Sequence, residues 1–223
     1  MTKSAPSVLS LVLIPSILTL AVTGLRVYGE LHDWGPMLVG TRQGGGEGGY
    51  VAITWLMFVF GLWFGIRLQR SPAALANRKR AFMLSVAGAV VLIAAMAGLS
   101  AAGLVSFPDK EHPVVPHGAP YLVAALALST IVSFTAWPRA AFALLVYAAL
   151  ARIPVLVVTK LAIDKGWDVH YAKFAPGFVP PPHDELFMNL ALPQVTFWPA
   201  ATVISGTLMA SLGALLAGQK RER

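Results

Sequence analysis

Residues 81–105 read AFMLSVAGAVVLIAAMAGLSAAGLV, and no ionisable side chain occurs anywhere from position 81 to position 108. A helix needs ~20 predominantly apolar residues to cross ~30 Å of hydrocarbon. A second uncharged run covers 186–219. Working outward from these two, four further apolar runs are long enough to span. The predicted helices cover about 8–28, 50–68, 81–105, 121–137, 140–163 and 187–216. The expected fold is therefore all-α: a polytopic membrane protein with a bundle of six transmembrane helices, in one transmembrane domain over 1–223.

Composition agrees. Of the 223 residues, 57% are hydrophobic and 12% charged, where a soluble domain carries about 25% charged. So few charges cannot cover a water-facing surface, and the remaining loops are too short for a separate soluble domain. The first run, free of ionisable groups from Val8 to Leu25, exceeds the ~7–15 residues of a secretory h-region. It is read as a retained helix.

Net charge is +7. With six spans, Lys3, the loop residues Arg67, Arg70, Arg78, Lys79 and Arg80, the turn residue Arg139 and the tail residues Lys220, Arg221 and Arg223 fall on one side. The positive-inside rule makes that side cytoplasmic and gives an N-in/C-in arrangement, as in an inner or plasma membrane of bacterial type. The positive charge then belongs to the lipid bilayer as partner, and nucleic acid is not expected. The connection Pro138-Arg139 makes the fourth and fifth spans an antiparallel hairpin.

Arg152 is the sharpest feature. It lies ~18 Å along the fifth span, where a charge costs at least ~2.5–3.5 kcal/mol on insertion scales. Helical side chains lean toward their own N-terminus, which here points Arg152 toward the membrane centre. Pro154 follows and leaves the Leu150 carbonyl without its helical donor. Thr159, Lys160 and Asp164 extend a polar stripe toward the outer surface. Arg26 and Glu30 share a face near the end of the first span, and Asp33 continues it. Gln194, with Thr202 and Ser205, lies on the sixth span, whose Pro193 and Pro199 predict a kinked or unwound start. The candidate site is thus Arg152, Lys160, Glu30, Arg26, Gln194 and Asp164, with Glu30 or Asp33 facing Arg152 or Lys160 across an outward-open crevice.

No cofactor or metal is expected. The chain has no Cys, no His-Glu-x-x-His, and no Gly-Lys-Ser/Thr after its glycine run. His183-Asp184-Glu185 and Asp109-Lys110-Glu111-His112 read as solvated loops. No catalytic residue stands out. The leading expectation is an intramembrane site that binds or permeates a small polar or anionic solute. An accessory subunit that docks a membrane partner or forms a homo-oligomer is the alternative, and an intramembrane enzyme acting on a lipid or quinone-like substrate is the third.

Overall fold

The computed structural model describes residues 4–44 and 48–218. It is all-helical among these residues, with five helices long and apolar enough to cross a membrane and a shorter apolar one. The chain is a polytopic helical membrane protein. Helix α1 covers Val8–Leu31, α2 Pro36–Val39, α3 Leu56–Gln69, α4 Arg78–Ala101, α5 Ala119–Ala136, α6 Pro138–Lys165, α7 His183–Val195 and α8 Phe197–Leu216. Lys3, Lys220, Arg221 and Arg223 lie outside the described residues.

Local chemistry sets the helix ends. Ser7 and Asn77 accept the N–H groups of Ser10 at 3.2 Å and Arg80 at 2.9 Å, capping α1 and α4, which satisfies donors that have no intrahelical partner. Pro138 occupies the first turn of α6, and Gly166 closes it at φ 64°, a conformation open to glycine.

The second span is shorter than expected. It begins at Leu56, not near position 50, and its 14 residues give only ~21 Å of helix. The N–H groups of Tyr50 and Val51 bond the Met37 and Leu38 carbonyls of α2 at 3.1 and 2.7 Å. The segment before α3 is thereby tied to α2 and cannot join the helix. The last span is split at Thr196 into α7 and α8. Pro199 has no N–H for the Val195 carbonyl, and its ring crowds that carbonyl, so the break falls there.

Helix α8 is the hub, packed against α3, α4, α5, α6 and α7. Its contact with α3 is backbone to backbone. A Cβ built on Gly61 would lie 2.5 Å from the Gly206 carbonyl, and one on Gly65 2.0 Å from that of Ala210. Gly61 and Gly65 form a small-xxx-small pair, matched by Gly206 and Ala210, which permits such approach. Buried hydroxyls add links: Ser85 to Ser211 at 2.9 Å and Thr19 to Tyr147 at 2.8 Å. Helix α4 lies outermost, with Met83, Val90 and Ile93 fully on its exposed face.

The two ends of the bundle differ in charge. At one, Arg139 donates to the Pro6 carbonyl at 2.7 Å and Arg78 to the Ala214 carbonyl at 3.2 Å. Arg67, Arg70, Lys79 and Arg80 gather at the same end. Every acidic residue among those described belongs to the opposite end. There the loops between α4 and α5 and between α6 and α7 join through a parallel bridge of Val114 with Phe178.

Candidate functional site

A cavity of about 430 Å³ opens in the half of the bundle that carries the acidic residues. That size falls within the ~300–1,000 Å³ of small-molecule sites. Arg26, Arg152, His170, Tyr171, Asn189 and Gln194 contribute to its polar wall, as does Lys173, whose ammonium pairs with Asp168. Helices α1 and α6 deliver the arginines, the 3-10 turn His170–Ala172 the next two residues, and the middle and end of α7 the amides of Asn189 and Gln194.

Arg152 is 7% exposed and sits ~20 Å from either end of α6. Its Nη1 donates to Gln194 Oε1 at 3.1 Å, and its Cζ lies 4.9 Å from the Trp198 ring centroid. Gln194 and Trp198 flank the break at Thr196, so the split of the last span is what brings an amide oxygen and an indole face to one guanidinium. A cation over an indole is attracted to its face, but neither partner carries negative charge. Arg152 Nε is buried without a hydrogen-bond partner.

Arg26 is 3% exposed and Glu30 fully buried. Arg26 Nε donates to Glu30 Oε1 at 2.9 Å. The same carboxylate accepts the His170 backbone N–H at 2.8 Å and faces His170 Nδ1 at 2.5 Å. Glu30 therefore ties the turn after α6 onto α1 and does not face Arg152. Arg26 Nη2 is left buried and without a partner. Two guanidiniums and one carboxylate thus leave one positive charge uncompensated among the described residues, with two buried nitrogens that have no acceptor.

Burial, the largest influence, pulls the His170 imidazole below its ordinary value of 6.5; Glu30 opposes this and the Arg26 cation adds to it. A neutral His170 donating from Nδ1 keeps the Arg26–Glu30 pair balanced. Burial likewise holds the Tyr171 phenol above its ordinary range, so it stays neutral between Arg26 and Arg152, whose charges act on it in the other direction.

The His170 shift carries a pH dependence. A depressed folded-state pKa means the unfolded chain binds the proton more readily, so stability is complete above the unfolded value and declines as pH falls through it. Unfolding curves between about pH 7 and pH 5 should show this loss, and His170→Asn, which retains a donor toward Glu30, should flatten it. A slope unchanged in the variant would place the titration elsewhere.

No match was found among known family models, curated proteins or solved structures. The site must be read from its own chemistry.

Of the residues expected from the sequence, Arg26, Arg152 and Gln194 meet at the cavity, and Glu30 lies directly behind Arg26. Lys160 and Asp164 pair with each other on the exposed surface and do not line it. Angular position explains the difference. At ~100° per residue, Thr159 returns to within ~20° of Arg152, while Lys160 and Asp164 sit ~80° and ~120° away. Thr159 is indeed a cavity residue. Asp33 does not face Arg152 either; it pairs with Arg42, which also reaches Asp168 at 3.3 Å.

His170, Tyr171 and Trp198 are the residues that sequence reasoning missed. His170 counted as one of several loop histidines, and Glu30 stands 140 positions away. Trp198 had a usable signal: it follows Gln194 by four residues. His183, Asp184 and Glu185 form the first turn of α7. Among the described residues, no group of three His, Asp or Glu side chains could hold a metal ion.

Proposed function

We propose that this membrane protein binds an anionic group between Arg152 and Arg26. The observation that carries the reading is Arg152: a guanidinium 7% exposed, facing an amide and an indole but no carboxylate among the described residues. A buried cation without a counter-charge is costly, and intramembrane charges mark substrate pathways. An anion in the cavity would supply the missing charge beside the Arg152 and Arg26 guanidiniums that line it. Gln194 fixes the Arg152 fork, and the Glu30–His170 bond keeps the covering turn in place.

The same charge asymmetry supports an orientation. The end bearing Arg67, Arg78, Lys79, Arg80 and Arg139 faces the cytoplasm under the positive-inside rule. The cavity then lies in the opposite half of the membrane.

The test is a titration of purified protein in an uncharged detergent with inorganic phosphate, sulfate and acetate. A ligand that binds only the folded state raises stability by about 2.7 kcal/mol at 100 times its Kd. At least one of these anions is expected to raise Tm in the parent protein and not in Arg152→Met. If the variant responds equally, or if no anion of any chain length binds the parent protein, the reading fails.

A further inference from the structure

We propose that the anion held by Arg26 and Arg152 is the head of a single-chain lipid that enters sideways from the bilayer, between α5 and α7. The proposal rests on the anion-binding reading above and assigns its ligand a class: one carboxylate or phosphate monoester on a long hydrocarbon body.

Three observations lead there. The first is the lining. Away from the arginines the walls are mostly apolar, with Leu122, Val123, Leu190 and Phe197 among them. A small hydrophilic anion gains nothing from such walls, whereas each buried CH₂ of a hydrocarbon chain contributes about 0.8 kcal/mol.

The second is a gap. Helices α5 and α7 both line the cavity, yet no Cα of one comes within 8 Å of a Cα of the other. Val123 on α5 and Leu192 on α7 line the cavity and are also 42% and 46% exposed. Exposed apolar side chains at both edges of this gap suit a passage into lipid.

The third is the cover. Toward the loop end, Pro116, His117, Phe174 and Phe178 roof the cavity. The roof is stitched by the Asp109 and Val114 N–H groups, which donate to the Gly177 carbonyl at 3.2 and 3.1 Å, and by Val179 N–H to Val114 O at 2.9 Å. These bonded loops narrow the route from water, while Val123 and Leu192 on the lateral side are apolar and exposed. An acidic head drawn through the gap meets the guanidiniums of Arg152 and Arg26, both of which line the cavity, with its chain still among apolar side chains.

The experiment compares dodecyl phosphate with inorganic phosphate, and dodecanoate with acetate, on the purified full chain in an uncharged detergent, with dodecanol as the neutral control. The long-chain anion of at least one pair is expected to bind at least about tenfold tighter than its short partner, and dodecanol is expected not to compete. Leu192→Trp, and separately Val123→Trp, should weaken the long-chain anion while leaving the short one unchanged. Both sites lie outside the packed core, and short-anion binding reports that each variant is folded. Equal affinity for long and short anions would make the ligand a water-borne solute and overturn the lipid proposal, leaving anion binding intact. Tight binding of dodecanol would show that the chain alone is recognised, also against the proposal. Binding of no anion, short or long, would overturn both readings together.

Discussion

Glu30→Leu is expected to lower folding stability by about 3–5 kcal/mol, the loss seen when one partner of a buried ion pair is removed. The carboxylate is fully buried and serves three donors: Arg26 Nε, the His170 backbone N–H and His170 Nδ1. Leucine in its place leaves a buried guanidinium with no acceptor and frees the turn that carries His170 and Tyr171. The check is thermal unfolding of Glu30→Leu beside the double substitution Arg26→Met with Glu30→Leu. The double variant should recover much of the loss, because the stranded charge is gone. It should not recover all, because the His170 N–H still lacks its acceptor. If the single change is as mild as a surface substitution, within about 0.5 kcal/mol, the carboxylate is not the anchor described.

Arg152→Met should move in the opposite direction. Even a buried ion pair can often be replaced by apolar side chains of similar volume with no loss, or with a gain of about 1–4 kcal/mol, and Arg152 has no paired carboxylate among the described residues to strand. Methionine retains much of the aliphatic stem that packs in α6 and removes an uncompensated charge. The ligand-free variant is therefore expected to unfold at the parent's temperature or above, while losing at least about thirtyfold in affinity for the anion. Thermal unfolding with and without phosphate measures both effects on the same samples. A binding role predicts a gain in bare stability together with a loss of response. An arginine that merely braces the bundle predicts a loss of bare stability, and that result would argue against the site.

The sequence was most informative where polarity and depth conflict. Uncharged runs at 81–108 and 186–219 admit little but membrane helices. Arg152 stands out in its run for the same reason, and Gln194 between two prolines is visible as an amide near a helix break. The start of α3 was not legible, because it depends on which carbonyls claim the Tyr50 and Val51 N–H groups, and those belong to α2. Lys160 and Asp164 were drawn into the site by their place along a stripe; their angle around the helix puts them on its outer side. His170 joins the site through contacts spanning most of the chain, which no local pattern encodes. The gap between α5 and α7 is a contact that is missing, and single-residue patterns carry no sign of it.

The glycine contact between α3 and α8 has a mechanical consequence. Where two backbones meet with no side chain between them, neither helix can slide or tilt without a clash, so that flank acts as a fixed spine. The opposite flank has no such joint. Any widening that admits a bulky guest is therefore expected on the side away from this joint. A crosslink across the open flank would hold the guest in or out, and one along the spine would change nothing.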